Sequence, residues 1–313
     1  MTKFGVSQPV RRKEDDRFLK GAGRYVDDIA PEGAAFVAFF RSTVAHGVIT
    51  SLDVEDAREA PGVLAVYTAA DLAGKLENSI DFSALQNRDG SPAAAPRRPI
   101  MAEDRVRFAG EVVAAVVAET RAEAMDALEL IMLDTDDLPV HVETAVGGEA
   151  IHAEAPDNLC FDWAFGDEAA TKAAFDGAAH TAKLEMVDNR VICNSMEPRG
   201  CFAEWDGARL HVSVNGQGVW GARDALAAKL GLAKADVRVT NPDVGGGFGM
   251  KSFDYPEQFI VALAAKELGR PTRWMSGRGE AMLADNGGRD LVTVAEAAFD
   301  ADYRLQALRI NSV

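Results

Sequence analysis

At 313 residues and 33.4 kDa, with 48% hydrophobic and 26% charged residues, the chain has enough apolar material for two cored domains and too much for a disordered segment. A net charge of -16 and a pI near 4.8 repel phosphate backbones and anionic lipid, which excludes nucleic acid and the membrane surface as partners. Three cysteines without CxxC spacing exclude a disulfide framework and a zinc knuckle, so Cys160, Cys193 and Cys201 read as buried free thiols. The charged start from Arg11 to Asp16 has no signal-peptide core and no later apolar run is long enough to span a bilayer, so the expected location is cytoplasmic.

In chain order, Gly21 to Tyr25 with Asp27 and Asp28 predicts a turn into a strand over Ala34–Arg41, whose nearly continuous apolarity implies burial on both faces. Ser51–Ala60 reads as a polar helix broken by Pro61-Gly62, and Val63–Tyr67 as a strand. Residues from about Lys75 to Glu103 shift to Ser, Asn, Gly and Pro and read as a long surface loop. Val106–Phe108 and Glu111–Ala118 are strand-like, and Thr120 with Glu123 forms a capping box for a helix running through Leu128 and Ile131. Pro139–Ala155 is the expected linker, dividing the chain into domains of 1–140 and 141–313. Beyond it, His180–Cys193 and Arg209–Val214 have strand patterning, a helix carries Leu226 and Leu230, and Leu291–Phe299 pairs with Tyr303–Ile310 around an Asp300-Ala301-Asp302 turn. This last pair is expected to leave apolar surface uncovered. The class is α+β, with strands and crossing helices mixed.

The chain is organised around Val237–Leu268: a strand, a turn at Asn241-Pro242-Asp243, the glycine loop Gly245-Gly246-Gly247-Phe248-Gly249, and a helix from about Tyr255. Four glycines in five residues let a rigid ligand approach the backbone, with several N–H groups converging on its oxygens. Asp254 is the expected N-cap, a proline sits in the first turn, and Gly269 with Pro271 is the stop. Gly245 with Lys251-Ser252 falls one residue short of a nucleotide P-loop, because Met250 stands where the second glycine belongs. Met250 also breaks the dinucleotide fingerprint. Lys251 reads as a surface lysine near the loop. The histidines His46, His141, His152, His180 and His211 have no metal-site spacing, no Gly-x-Ser-x-Gly elbow is present, and the paired acids read as solvated faces. Gln217 differs in kind, since its amide carries a donor and an acceptor less than one strand-helix-strand unit before the loop.

The chain closely resembles the N-terminal part of the molybdenum-binding large subunit of the xanthine oxidase family, which includes aldehyde oxidoreductases and aerobic carbon monoxide dehydrogenase. The matching residues are Gly21 to Tyr25 with Asp27-Asp28, Arg41-Ser42 with Ala45-His46, Ala60 to Val63, Asp104 to Phe108 with Gly110-Glu111, Met196-Glu197-Pro198, Gln217, Pro242 to Gly249, Leu268 to Pro271 and Gly288 to Asp290. The resemblance implies an α/β hammerhead domain followed by the first part of a molybdopterin-binding domain. It further implies hydroxylation of an aldehyde or N-heterocycle carbon with oxygen from water, using molybdenum-molybdopterin in its cytosine dinucleotide form. A glutamate serves as base, and electrons leave through [2Fe-2S] clusters and FAD on partner chains. Gln217 matches the glutamine bonded to a molybdenum oxo ligand and so contacts the metal indirectly. Phe248 matches the phenylalanine beside the metal, and Gly246, Gly247 and Gly249 are its cofactor-facing neighbours. Ser252 stands in the substrate pocket where xanthine-oxidising members carry a purine-binding glutamate, which argues against a purine anchored in that way. The family's catalytic glutamate and later pterin contacts fall outside this sequence. The resemblance therefore implies either a truncated product or a split family subunit completed by a complementary C-terminal molybdopterin-domain chain, together with an iron-sulfur subunit and an FAD subunit, and inactivity of the chain in isolation. The rivals are a non-catalytic docking or assembly fragment of that family and a P-loop-like nucleotide-binding enzyme.

Overall fold

A computed structural model describes residues 10–81 and 85–313. The helices are α1 (Asp15–Leu19), α2 (Glu55–Glu59), α3 (Arg121–Leu128), α4 (Glu168–Asp176), α5 (Trp220–Lys229), α6 (Pro256–Leu268) and α7 (Arg278–Ala284). The strands are β1 (Ala35–Arg41), β2 (Gly47–Asp53), β3 (Val63–Thr68), β4 (Arg105–Val106), β5 (Val112–Ala118), β6 (Met132–Asp137), β7 (His180–Asp188), β8 (Gly200–Trp205), β9 (Leu210–Val214), β10 (Val237–Thr240), β11 (Thr272–Met275), β12 (Leu291–Phe299) and β13 (Leu305–Ser312). No described helix is long and apolar enough to cross a membrane.

The mixed α/β class follows the sequence. Seven strands form one mixed sheet in the order β10-β9-β8-β11-β1-β5-β3, with β1 parallel to β11 and β10 parallel to β9. Strands from both sides of residue 140 thus share a single hydrogen-bonded surface. Two-sided burial accounts for the continuous apolarity of β5, all seven residues of which are buried. Ala115 and Val117 face the main core with Phe259 and Leu263, whereas Ala114 and Val116 face a second cluster with Val54, Ala57 and Ile131. Helix α6 is apolar nearly all round and lies inside the molecule against β8, β9 and β11, as such a helix must.

Several local expectations hold. Thr120 and Glu123 form the capping box, Pro256 occupies the first turn of α6, and Gly269 closes it in the left-handed conformation at φ 58°. Asp254 does not cap α6. Tyr255 occupies that position without a side-chain cap bond, and Asp254 instead accepts from Gln258 at 2.7 Å. The stretch from Lys75 to Glu103 is irregular but not confined to the surface, since Leu76, Ile80, Ile100 and Met101 enter the main core; residues 82–84 lie outside the described residues. Part of Ser51–Ala60 belongs to β2, which pairs with β6, a strand whose alternation is hidden by its acidic residues. Ile131 lies beyond the end of α3.

A separate three-stranded sheet, β13-β12-β7, has Ala298 buried on the face met by α4. In register on the opposite face stand Leu184, Ala295 and Ile310, with Leu184 and Ile310 exposed. The expected uncovered apolar surface is present.

A buried ionic cluster joins distant segments. Glu257, on α6 and 1% exposed, accepts from Arg41 of β1 at 2.5 Å and from Arg199 at 2.7 Å; Arg199 also donates to Asp285, and Arg41 to Glu280. Burial pushes the Glu257 carboxyl up, but the two guanidinium charges and their hydrogen bonds outweigh it and hold the group well below the usual range. Removing the carboxylate strands two buried cations. Glu257→Ala is therefore expected to lose about 3–5 kcal/mol in urea unfolding, against about 0.5 kcal/mol or less for Arg58→Ala on the surface. Because the unfolded carboxyl takes up its proton near pH 4.3 or so while the folded one resists, Glu257 stabilises the fold above that pH and its contribution falls as pH drops below it. The wild-type urea midpoint should decline as pH falls from about 5 to 3, and the Glu257→Gln midpoint should decline less; equal slopes would contradict the assignment.

Candidate functional site

The site forms where β9, α5, β10 and α6 converge. Strands β9 and β10 run parallel and α5 crosses between them, which brings the segment after β9 beside the segment after β10. Gln217 lies on the first segment and the glycine loop on the second. A bond from the Asn241 amide to the Gly216 carbonyl, 2.8 Å, ties the two.

Backbone conformation explains the glycines. Gly246 and Gly249 have φ of 102° and 88°, where a side chain is strained. A Cβ on Gly247 would fall 2.6 Å from the Gln217 side-chain carbonyl carbon, and one on Gly245 would fall 2.5 Å from Glu197 Cβ. Phe248 takes φ 52° although it is not glycine, and its side chain is largely exposed. Such a conformation persists only where surrounding contacts hold it. Gly249 N–H donates to Gln217 Oε1 at 2.8 Å, Gln217 N–H donates to the Lys251 carbonyl at 3.1 Å, and Met250 N–H donates to the Gly247 carbonyl at 3.0 Å.

Other donors remain open. Among the described residues, the N–H groups of Gly246, Gly247 and Phe248 and the Gln217 Nε2 amide have no protein acceptor. Successive free N–H groups on a loop of alternating backbone sign form a concave donor surface suited to anionic or oxo oxygens. No group of three or more His, Cys, Asp or Glu side chains able to hold a metal ion occurs among the described residues. The arrangement fits a metal carried by an organic cofactor and bound through that cofactor's oxygens. Beside the loop, a cleft of about 220 Å³ has Gln217 and Ser252 on its wall and Arg199, Tyr255 and Trp274 deeper in. Ser252 is exposed there, and its N–H donates to the Gly249 carbonyl at 3.1 Å. The predicted residues Gln217, Gly246, Gly247, Phe248, Gly249 and Ser252 thus come together.

Lys251 is not a surface residue. Its side chain is 1% exposed, and its ammonium donates to Glu197 Oε2 at 3.2 Å. Burial lowers its pKa, with the Glu197 carboxylate opposing that shift. The ammonium is thereby committed beneath the loop rather than offered at its mouth, which removes the feature a nucleotide P-loop requires. Sequence reasoning quoted Glu197 only as a motif residue, and a partner 54 positions away leaves no local signal. Tyr255, which donates from its hydroxyl to the Met250 carbonyl at 2.9 Å, was also missed. Of the thiols only Cys201 is buried; Cys160 is exposed, and Cys193 is partly buried with its sulfur 3.7 Å from the Phe248 carbonyl.

Two family profiles cover most of the chain. Residues 151–313 match the molybdopterin cofactor-binding domain, and residues 20–139 match the aldehyde oxidase and xanthine dehydrogenase a/b hammerhead domain. The nicotine 6-hydroxylase large subunit of Paenarthrobacter nicotinovorans is 34% identical over 100% of this chain and 38% of its own length. The carbon monoxide dehydrogenase large chain of Hydrogenophaga pseudoflava is 32% identical over 99% of this chain and 40% of its own length. The crystal structure of quinoline 2-oxidoreductase from Pseudomonas putida 86 superposes with a TM-score of 0.83 at 35% identity, over 99% of this chain and 39% of that one. The chain thus spans about two-fifths of the length of these relatives. With a hammerhead domain leading into a molybdopterin cofactor-binding domain, and a glycine loop whose open donors suit that cofactor, the chain belongs to the xanthine oxidase family of molybdenum-binding large subunits.

Proposed function

We propose that this chain forms part of a molybdenum hydroxylase that oxidises an aldehyde or N-heterocycle carbon with water-derived oxygen. The observation that carries the reading is the pairing of the Gln217 amide, whose Nε2 has no protein acceptor, with three unengaged loop N–H groups. When bound, molybdenum-molybdopterin would supply the two-electron redox centre. This chain's own residues then bind and orient: Gly246, Gly247 and Phe248 present backbone donors, Gly249 sets the Gln217 side chain, and Gln217 offers an amide N–H to an oxo group. Ser252 lines the cleft, and the same reading places Phe248, exposed on the loop and not on the cleft wall, beside the substrate. Serine supplies one small neutral hydroxyl where a purine-anchoring carboxylate would stand, and nicotine and quinoline in the names of two relatives favour an N-heterocycle.

The same reading assigns the cytosine dinucleotide form of the pterin, a cytoplasmic location, and [2Fe-2S] and FAD subunits as electron acceptors. The catalytic glutamate is assigned to the complementary C-terminal part of the molybdopterin domain, so the isolated chain is inactive. The uncovered face carrying Leu184 and Ile310 supports a role in assembly and also suits the rival reading of a non-catalytic docking fragment.

Metal analysis of the protein purified gently from its native host separates the two. Molybdenum and iron at fixed ratios, with two or more co-purifying chains, are expected; a metal-free lone chain would favour the docking fragment. Within such a complex, Gln217→Ala is expected to retain molybdenum and to lower turnover by about 10–100-fold, the usual cost of losing a hydrogen bond to a metal's ligand. Gly247→Ala places a methyl group where the Gln217 side chain lies, so its molybdenum content should fall several-fold while the circular dichroism spectrum stays unchanged; full retention of the metal would show that the loop does not approach the cofactor closely.

A further inference from the structure

Beneath the glycine loop lies an ion pair that no assigned role uses. The Glu197 side chain is 9% exposed and that of Lys251 is 1% exposed. Glu197 Oε2 accepts from both Gly245 N–H, 2.8 Å, and the Lys251 ammonium, 3.2 Å, while Glu197 N–H donates to the Gly245 carbonyl at 3.1 Å. The loop's entry is thus held twice. At its exit the Lys251 carbonyl accepts from Gln217 N–H at 3.1 Å, and Gln217 Oε1 returns to Gly249 N–H at 2.8 Å. These contacts form a closed circuit: Glu197 to Gly245, along the loop to Gly249, across to Gln217, on to Lys251 and back to Glu197. Glu197 is itself anchored, because Arg278 donates to the carbonyls of Ser195 and Met196 at 2.7 and 2.8 Å and Ser195 Oγ donates to the Glu197 carbonyl at 2.8 Å.

We propose that the Glu197–Lys251 pair is a positioning device for the cofactor-facing loop, clamping its two ends and thereby setting where the Gln217 amide and the Phe248 backbone stand. The importance of that loop rests on the hydroxylase reading above; the clamp itself is a property of this chain. Two features single out the pair. Glu197 Oε1 is buried and has no hydrogen-bond partner, so the carboxylate depends on Lys251 for its charge balance. The loop's own conformation, with Gly246, Phe248 and Gly249 all at positive φ, is of the kind that neighbours must impose. Glu197 does not line the cleft, and Lys251, which does, has its ammonium held by Glu197. Each acts through Gly245 and Gln217.

The test uses the cofactor-free full chain and amide hydrogen exchange, with β5 amides as an internal control for global stability. Lys251→Met leaves a buried carboxylate alone, and Glu197→Gln leaves a buried ammonium alone. Each is expected to speed exchange at Gly249 and Gln217 at least tenfold, with β5 amides changed less than threefold. Glu197→Gln combined with Lys251→Met keeps an acceptor for Gly245 N–H and strands no charge. The conservative Lys251→Arg keeps the pair and should hold Gly249 and Gln217 within about threefold of wild type, whereas the double variant, which has no pair, should exchange there at least tenfold faster. Unchanged exchange in both single variants would overturn the proposal. So would β5 amides moving in step with the loop, or a double variant within threefold of wild type, which would assign the single-variant effects to stranded charge alone. If a single variant does not fold, the comparison of Lys251→Arg with the double variant carries the test: loss at the loop alone in the double supports the clamp, and both protected overturns it. Molybdenum content plays no part in this measurement, so the clamp and the hydroxylase reading stand or fall separately.

Discussion

The structure depends on a carboxylate buried between two guanidinium groups. Glu257 stands in the first turn of α6, where the helix dipole already favours negative charge, and it accepts from Arg41 on β1 and from Arg199 just before β8. Burying three charges is costly unless every one is partnered. Asp285 and Glu280 complete the set, so β1, β8, α6 and α7 must arrive together for the cluster to be tolerable. The Arg199 guanidinium also lies 3.7 Å from the centre of the Tyr255 ring, and Tyr255 holds the Met250 carbonyl. The charge cluster therefore extends, through one aromatic ring and one hydroxyl, to the residue that follows the glycine loop.

Legibility from sequence followed the range of the cause. Pro256 and Gly269 bound α6, and Thr120 with Glu123 starts α3, because a cap or stop is decided within one turn of chain. Alternation exposed β9, and the Asp300–Asp302 turn exposed the β12–β13 hairpin, for the same reason. Strand β6 was missed because its sequence, Met-Leu-Asp-Thr-Asp-Asp, carries acids on an exposed edge, where pairing with β2 rather than burial makes it a strand. The irregular stretch before Glu103 looked like surface because its apolar residues follow no period. They are buried one by one, as Leu76, Ile80 and Ile100 fill gaps in a core built by other elements.

At the site the same division holds. The glycines of the loop were legible as conformational requirements, and Gln217 as an amide placed one unit upstream; the structure brings them within hydrogen-bond distance. The burial of Lys251 was misread. A lysine is exposed by default, and only the Glu197 carboxylate, contributed by the segment before β8, reverses that default. Tyr255 was hidden in the same way, since its hydroxyl acts on a backbone carbonyl that no sequence pattern marks.

The shared sheet limits how the two family domains can be separated. Ala35 and Phe36 of β1 pair with Thr272 and Arg273 of β11, and Arg41 of the same strand reaches Glu257. Contacts this far apart in sequence carry a loop-closure cost that both halves of the chain must offset together. A segment beginning near residue 151 would contain the glycine loop, Gln217, Glu197 and Lys251, yet it would leave β11 with an open edge and Glu257 with one guanidinium fewer. The strain at Phe248 is then opposed by a weaker scaffold, since the residues that position α6 are partly those of β1. The hammerhead half therefore contributes to the site in three ways: it closes the sheet, balances the charge beneath the helix on which the loop is mounted, and holds Asp243, two residues before the loop, through Arg24 and Tyr25.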